Sequence, residues 1–333
     1  MITDALSRPL HDLRISVTDR CNFRCVYCMP KEVFGRSFQF LDREDLLSFE
    51  EIHALTRAFH AIGVRKVRLT GGEPLVRSQI EQLVAMLSDI PDTDLTMTTN
   101  GILLPSAAED LKAAGLKRVT ISLDSLDDEV FNAMNDVGAS VQDVLRGLEA
   151  AERVGLHPIK INMVVKRGVN EASVLPMARY FKERGHILRF IEYMDVGQTN
   201  GWRLDEVVPA AEIVERVGAE MALEPVESNY RGEVANRYRY LDGEGEIGLI
   251  ASVTHPFCRD CTRVRLSADG MLFTCLFAVQ GHDLREAVRS GASHEELIDT
   301  ISKIWTRRID RYSELRSAAT EGLQKIEMSY IGG

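Results

Sequence analysis

The segment "LRISVTDRCNFRCVYCMP" (Leu13–Pro30) joins a short strand-like run to three closely spaced cysteines. Cys21, Cys25 and Cys28 follow the strand directly, three and then two residues apart. A structural zinc site uses four ligands, whereas a site with three protein ligands keeps one metal position open. The spacing therefore indicates a metal site with an open position, which is typical of chemistry rather than of structure.

A repeated alternation extends this pattern through the first two hundred residues. Helical stretches such as Glu44–Gly63 and Ser173–Gly185 carry apolar residues three and four apart and end in glycine. Strands that alternate with helices indicate parallel βα units, and six units are two fewer than in a complete barrel. We therefore predict an α/β protein with a partial (β/α)6 TIM-type barrel. Its six predicted strands are Leu13–Asp19, Lys66–Gly72, Leu95–Gly101, Arg118–Asp124, Ile159–Val165 and Leu188–Met194.

The pattern changes after about residue 224. Residues 237–253 and 263–277 are typical of hairpins with Asp-Gly turns, and residues 295–317 are predicted to form one helix. We predict two domains: the barrel over residues 1–224, and an α+β extension over residues 225–333 that ends in Gly-Gly.

Composition limits the possible functions. The chain has 333 residues, is 45% hydrophobic and carries a formal charge of −10, so it has no net basic field for non-specific nucleic-acid binding. No signal peptide and no apolar run of membrane-spanning length is visible, which predicts a cytoplasmic protein. In that compartment, clustered cysteines are more often metal ligands than disulfides.

The loop after the first predicted strand suits an iron–sulfur cluster. Reactive groups of βα barrels lie at the carboxyl ends of strands, and thiolates suit soft metals and iron–sulfur clusters. Three thiols can hold three irons of a 4Fe–4S cluster; the alternative is a zinc site completed by a distant histidine. The second strand ends in "TGGEP", where glycines allow close approach to a ligand and Glu73 could accept from an ammonium group.

With these motifs the chain resembles the radical S-adenosylmethionine (SAM) superfamily. The resemblance implies that the open iron takes the amino and carboxylate groups of SAM, which is cleaved reductively to a 5′-deoxyadenosyl radical. It also implies that five residues bind this cofactor: Tyr27, Gly72, Glu73, Ser122 and Met194.

A second set of three cysteines lies in the extension. Cys258, Cys261 and Cys275 again offer three thiols and no fourth. A zinc ribbon that recruits His255 or His282 would be the simple alternative to a second cluster.

Basic residues fall on predicted strand faces that lead toward the cysteines. Lys66, Arg68 and Thr70 share one face of their strand, because side chains alternate along it. Lys160 pairs with Asn162 in the same way. The other basic residues are Arg14 in the first strand and Arg263 and Arg265 beside the second set of cysteines. An acidic protein needs such a local cluster to bind an anionic substrate.

Motifs along the whole chain resemble one family of radical SAM enzymes, which cyclises GTP in the first step of molybdenum-cofactor synthesis. The ordered motifs are "CMP", "TGGEPL", "TTNG", "SLDSLD", "RFIEYM", "THPFC", "CTRVRLSADG" and the terminal "GG". The resemblance implies a second 4Fe–4S cluster that binds guanine, and a tail that enters the active site. It implies GTP contacts from Arg14, Arg68, Thr99, Lys160, Arg263, Val264 and Arg265, with Arg265, Gly332 and Gly333 needed for turnover.

Partners and rival functions follow from the same comparison of motifs. The resemblance implies a reductase as electron donor, a downstream cyclic pyranopterin monophosphate synthase and a possible homodimer. Two alternatives stay open from the sequence: a radical SAM enzyme acting on peptides, and a non-catalytic iron–sulfur or zinc-binding regulator.

Overall fold

One twelve-stranded sheet organises the part of the chain that the computed structural model describes, residues 2–316 and 323–333. The predicted helix over residues 295–317 and the predicted extension both include residues outside these ranges. The strands are β1 (Asp12–Ser16), β2 (Lys66–Thr70), β3 (Asp94–Thr99), β4 (Arg118–Ser122), β5 (Lys160–Val165), β6 (Ile187–Glu192), β7 (Leu223–Val226), β8 (Asn236–Tyr240), β9 (Glu246–Ile250), β10 (Arg263–Leu266), β11 (Met271–Phe273) and β12 (His282–Asp283).

The sheet is parallel at its centre and antiparallel at both edges. Its order is β12-β11-β10-β1-β2-β3-β4-β5-β6-β9-β8-β7. The six strands of the predicted barrel lie side by side in chain order. β10 adds to β1 and β9 adds to β6, both in parallel. The predicted α/β partial barrel is confirmed, and the extension prolongs its sheet at both ends.

Alternation along the strands separates a core face from a cavity face. On β2, Val67 and Leu69 belong to the main hydrophobic core, whereas Arg68 and Thr70 line an internal cavity. On β5, Ile161 lies in the core and Lys160 lines the cavity. The expected strand faces are therefore confirmed.

Most of the helices pack against the core face of the sheet, whereas Ser313 and Met328, in two short helices near the C-terminus, line the cavity. The bounds of the helices are α1 (Phe49–Ala61), α2 (Ile80–Ser88), α3 (Leu104–Ala113), α4 (Asp128–Asn135), α5 (Val141–Arg153), α6 (Val174–Glu183), α7 (Ala210–Gly218), α8 (Arg285–Arg289), α9 (His294–Thr306), α10 (Tyr312–Leu315) and α11 (Met328–Ile331). None of the helices in the described ranges combines the length and apolar character needed to cross a lipid bilayer.

Two helix predictions need correction. The helix expected from Glu44 begins at Phe49, because Ser48 accepts a hydrogen bond from the Glu51 amide while the Glu51 side chain accepts from the Ser48 amide. The single helix expected over residues 295–317 is divided into α9 and α10. The chain leaves the helix after Thr306, where the Arg308 guanidinium donates to the carbonyl of Cys261, 2.8 Å away.

Both predicted hairpins are present. β8 and β9 pair antiparallel, as do β10 and β11, and the Asp-Gly turn of the second hairpin is Asp269–Gly270. Because β9 and β10 also pair with the barrel strands, the hairpins bring the second set of cysteines to the same cavity as the first.

Candidate active site

The cavity enclosed by the strands has a volume of about 310 Å³, a size common for small-ligand sites. Most of the predicted site residues line it. They are Arg14, Cys21, Cys25, Tyr27, Cys28, Arg68, Gly72, Glu73, Thr99, Ser122, Lys160, Met194, Cys258, Cys261, Arg263, Arg265, Cys275 and Gly333.

Two predicted residues do not line the cavity. Val264 is directed away from it, is 1% exposed and packs in the hydrophobic core, since its neighbours Arg263 and Arg265 occupy the cavity face of β10. The Val264 side chain is therefore not placed to make the predicted contact with a substrate in the cavity. Gly332 is next to the lining residue Gly333, and its carbonyl accepts a hydrogen bond from Arg265, which also lines the cavity.

The first three cysteines are held by their own loop. The amide of Cys28 donates to the carbonyl of Cys25 at 2.9 Å, which turns the loop so that all three thiols face the cavity. Burial raises the pKa of the Cys21 thiol to about 12. Burial also raises the pKa values of Cys25 and Cys28; the charge of Asp124 adds to the shift of Cys25, and that of Cys21 adds to both shifts.

The "TGGEP" turn packs directly against this cysteine loop. The Gly72 amide donates to the Thr18 carbonyl at 2.8 Å, and the Glu73 amide donates to the Arg20 carbonyl at 2.9 Å. The Glu73 carboxylate accepts from the Thr99 hydroxyl at 2.7 Å, so Thr99 is committed to this side of the cavity. Burial raises the pKa of Glu73 to about 7.

The other predicted cofactor-binding residues surround the same end of the cavity. The Tyr27 hydroxyl donates to Asp124 at 2.9 Å, and burial raises the pKa of Asp124 to about 6. Ser122 ends β4, and Met194 follows β6 by two residues. All of these lie at the carboxyl ends of parallel strands, where barrel enzymes place their reactive groups.

Arginine side chains on adjacent strands line one side of the cavity, which we call the cationic floor; Arg14, Arg68 and Arg265 belong to it. The register sets Arg265 beside Arg14, and Arg14 beside Arg68, on three adjacent strands. Burial and the neighbouring charges of Arg68 and Arg263 lower the pKa of Arg14 to about 9. Side-by-side like charges are destabilising, so this arrangement favours an anionic ligand.

The sequence interpretation missed further cations of the same floor. Arg118 and Arg189 line the cavity, and after burial they are the main causes of the lowered pKa of Arg68, about 9. The Nε atom of Arg189 and the Oδ1 atom of Asn162 are buried without a hydrogen-bond partner. The alternation of β6, with Leu188 and Phe190 in the core, was the signal that could have identified Arg189.

The second set of cysteines is assembled from separate segments. Cys258 and Cys261 bound a short turn between β9 and β10, and Cys275 follows β11. The Cys261 sulfur accepts from Arg308 at 3.2 Å and from Arg263 at 3.3 Å. Burial opposes ionisation of the Cys261 thiol, but these two positive charges outweigh it and lower the pKa to about 7.

Residues that are distant in the sequence hold this second set of cysteines in place. Arg8, which is 0% exposed, donates to the Cys258 carbonyl at 2.8 Å and to the Asp310 carbonyl at 2.7 Å. Its Nε atom donates to Asp4 at 2.6 Å. The N-terminal segment thus holds the turn that carries two of the three thiols.

The cysteines fit the iron–sulfur clusters that their spacing predicts. All six are free thiols, three per set, and both sets line one cavity. None of the eight histidines lines it, including His255 and His282, so neither predicted zinc alternative has its imidazole ligand in place. Within residues 2–316 and 323–333, no three side chains of histidine, cysteine, aspartate or glutamate are close enough to hold a single metal ion. The fit therefore rests on the thiol chemistry and the shared cavity.

Comparison with protein families agrees with the fold and the site. The model of the Radical SAM superfamily matches residues 15–181, which contain the first cysteine set, and that of Molybdenum Cofactor Synthesis C matches residues 186–314, which contain the second. The fold and the site are those of a radical SAM enzyme. Membership in that superfamily implies a 4Fe–4S cluster and SAM.

Full-length relatives narrow the family further. The GTP 3′,8-cyclase of Acidothermus cellulolyticus is 54% identical, with 100% of this chain and 99% of the relative covered. That of Staphylococcus carnosus is 46% identical, with the same coverage. The chain belongs to the GTP 3′,8-cyclase family.

A solved structure supports the fold independently. SuiB of Streptococcus suis, bound to S-adenosylmethionine, superposes with a TM-score of 0.60 at 15% identity. The superposition covers 95% of this chain and 72% of SuiB. At that identity the likeness concerns the fold alone.

Proposed function

We propose that this chain is the radical SAM GTP 3′,8-cyclase of molybdenum-cofactor biosynthesis. In this reaction the 5′-deoxyadenosyl radical would take the ribose 3′ hydrogen atom of GTP, C3′ would bond to C8, and uptake of one electron from the reductant and one proton would give 3′,8-cyclo-7,8-dihydro-GTP. The observation that carries the proposal is the convergence of two cysteine sets and a cationic strand floor on one cavity. A peptide-modifying enzyme would have no need of a floor built for a highly charged anion.

The first set would hold the cluster that all radical SAM enzymes share. The chemistry that a bound cluster and SAM would supply here is the generation of a 5′-deoxyadenosyl radical. Cys21, Cys25 and Cys28 would ligate three irons, and their loop is fixed to the Gly72–Glu73 turn by backbone hydrogen bonds. We assign SAM contacts to that turn and to Tyr27, with Ser122 and Met194 at the neighbouring strand ends.

The cationic floor would bind the triphosphate. We assign this role to Arg14, Arg68 and Lys160 and to the β10 residues Arg263 and Arg265. Burial and nearby arginines lower the pKa of Lys160 to about 8, so an incoming anion relieves repulsion as well as forming charge-assisted hydrogen bonds. We also assign Thr99 to GTP binding, although its hydroxyl donates a hydrogen bond to the Glu73 carboxylate.

The second set would hold a second 4Fe–4S cluster through Cys258, Cys261 and Cys275. The chemistry that this cluster would supply is a binding position for the guanine base of GTP at the part of the cavity that these cysteines line. Arg308 and Arg263 support the assignment, because their hydrogen bonds to the Cys261 sulfur favour the thiolate that iron requires.

The remaining assignments stay predictions. They comprise the domain boundary near residue 224, a cytoplasmic location, a reductase as donor, a homodimer, and the cyclic pyranopterin monophosphate synthase as the enzyme that takes the product.

Anaerobic reconstitution tests the proposed function. We expect about eight irons per chain, an electron paramagnetic resonance signal that changes with GTP, and a cyclised nucleotide when SAM and dithionite are present. The matched control is a variant with Cys258, Cys261 and Cys275 all changed to Ala, expected to bind about four irons and to lose the GTP-sensitive signal. Zinc alone in the wild type would support a regulator, and an unchanged signal with GTP would contradict the cyclase.

A further inference from the structure

The C-terminal segment over residues 325–333 lies against the cavity, which Met328 and Gly333 line. Lys325 donates to the carbonyl of Asp195 at 2.6 Å, and the Ile326 amide donates to the carbonyl of Ala278 at 3.0 Å. Asp195 follows Met194 on the SAM side, whereas Ala278 follows Cys275. The segment therefore contacts both sides before its last helical turn, α11, begins.

Glu327 attaches the start of α11 to the loop after β6. Its carboxylate accepts from the Gln198 amide at 2.9 Å and from the Thr199 hydroxyl at 3.1 Å. The close approach requires glycine at position 197, since a Cβ there would lie 2.1 Å from the Glu327 carboxylate. The loop is thus shaped to receive this side chain.

Tyr330 attaches the end of α11 to the opposite side. Its hydroxyl donates to Asp269 at 2.5 Å, and Asp269 belongs to the turn of the β10–β11 hairpin. Tyr330 also packs edge-on against Phe273, with ring centroids 6.2 Å apart. Glu327 and Tyr330 are three residues apart, so one helical turn spans the distance between the two attachments.

The last two glycines follow directly from this turn. Gly332 has a φ of +78°, and a Cβ there would lie 2.4 Å from the Thr70 side chain. Its carbonyl accepts from Arg265, and the Gly333 carbonyl accepts from Thr70 at 3.4 Å. Glu327 and Tyr330 lie just before these glycines and supply side-chain contacts that hold this segment in place.

We propose that Glu327 and Tyr330 are positioning residues that seat the Gly332–Gly333 tail against Arg265, an inference that rests on the proposed function. Neither side chain lines the cavity, so neither is placed to touch the substrate, and we expect both to act through the tail. Their partners lie on opposite sides of the site, one on the SAM-side loop and one on the hairpin of the second cysteine set. The tail is therefore seated only when both sides are correctly formed.

Two variants test this role by a physical and a catalytic readout. Tyr330→Phe removes only the hydroxyl that reaches Asp269, and Glu327→Ala removes the attachment to the loop. Loss of a hydrogen bond to a charged partner is expected to speed hydrogen–deuterium exchange of residues 331–333 by about tenfold or more. In the reconstituted enzyme we expect about tenfold less cyclised product per 5′-deoxyadenosine formed, with the KM for GTP changed by less than about twofold.

Matched controls separate positioning from general damage. Tyr180→Phe makes the same chemical change on α6, at a tyrosine whose hydroxyl has no hydrogen bond among the described residues, and should leave both readouts unchanged. Glu327→Gln keeps an acceptor for the Gln198 amide and should restore much of the coupling lost in Glu327→Ala.

The outcomes are distinguishable from a failure of the proposed function. Unchanged exchange at residues 331–333 in Tyr330→Phe and Glu327→Ala would overturn the positioning role, whatever the enzyme makes. Faster exchange with fully coupled product would also overturn it, because the seat would then have no effect on turnover. If the wild type forms no cyclised nucleotide, the proposed function fails, and any role of Glu327 and Tyr330 in that reaction fails with it. Hydrogen–deuterium exchange would then report only whether these residues hold the tail in place.

Discussion

The two cysteine sets are held in position by different kinds of contact. Cys21, Cys25 and Cys28 lie within eight consecutive residues and are turned toward the cavity by hydrogen bonds of their own loop. The second set combines two segments of the extension, and it is fastened by Arg8 from the N-terminus and by Arg308 beyond α9. The sequence itself therefore groups the thiols of the first set, although their loop is also bound to the Gly72–Glu73 turn, whereas the second set depends on residues near both ends of the chain.

Their electrostatic settings differ as well. Burial raises the pKa of Cys21 in the first set and of Cys275 in the second set to about 12, but the second set also contains Cys261, whose pKa two arginines lower to about 7. Hydrogen bonds to cluster sulfurs are one means by which a protein tunes an iron–sulfur site. We therefore expect that a substitution in one cysteine set can change its cluster site without changing the other.

Cys28→Ala should break the first set alone and have the largest effect. With two thiolates left, the cluster should lose its open iron or fall apart, and reductive SAM cleavage should stop. The measurement is 5′-deoxyadenosine formed under dithionite. Formation at the wild-type rate would refute the assignment of the first set.

Cys275→Ala should break the second set and leave SAM cleavage in place. The guanine base would lose its iron ligand, so the ribose hydrogen would be poorly placed, and a displacement of about 1 Å can cost about a hundredfold in rate. Cyclised nucleotide and 5′-deoxyadenosine are measured together in one anaerobic assay. A wild-type rate of cyclisation would show that the second set is structural.

Arg8→Met tests whether the second set depends on remote contacts. It leaves the Asp4 carboxylate, which is 0% exposed, without its closest partner, and breaking such a buried pair costs about 3–5 kcal/mol of unfolding free energy. Urea unfolding and iron content are the measurements; we expect iron to be lost from the second set first.

The control for this prediction is Arg203→Met. Its partner Asp205 is 65% exposed, and exposed pairs contribute only about 0–1 kcal/mol. Equal losses of stability in the two variants would contradict the special role of Arg8.

Arg68→Ala changes the floor without touching either cysteine set. Losing a charge-assisted contact to phosphate costs about 1.5–3 kcal/mol, so the Kd for GTP should rise roughly tenfold or more while iron content stays constant. Arg179→Ala, an exposed change on α6, is the matched control. Wild-type affinity for GTP would place the triphosphate elsewhere.

The pH dependence of SAM binding should reflect Glu73 and gives the smallest effect. Burial raises its pKa from 4.5 to about 7, so the carboxylate is mostly protonated at pH 6 and mostly ionised at pH 8. If the anion binds the amino group of SAM, affinity should rise as pH rises through 7, by up to roughly tenfold across this interval. Titration of SAM into wild type and Glu73→Gln checks this, and an equally steep profile in the variant would exclude Glu73 as its source.

Local patterns were enough to predict the barrel and the first half of the site. The six parallel strands follow from alternating strand and helix patterns, and Cys21, Cys25 and Cys28 from their spacing. The cavity face of β2 follows from simple alternation, which correctly places Arg68 beside Thr70. These features depend on residues close together in the sequence.

Contacts between distant segments could not be predicted in the same way. Nothing near Arg8 indicates that it meets Cys258, 250 residues later. The end of α9 was missed because Arg308 is drawn to Cys261 rather than continuing the helix. Arg189 is different, because alternation along β6, with Leu188 and Phe190 in the core, is enough to place it on the cavity face.

The order of the sheet has a consequence for biosynthesis. A ribosome completes β1 to β6 before it makes β9 and β10, the strands that pair with β6 and β1. Until residues 246–266 emerge, both outer strands of the nascent sheet present unpaired backbone groups, which are templates for pairing with other chains. A chain terminated before residue 246 is therefore expected to aggregate, even though it contains every residue of the SAM-binding half.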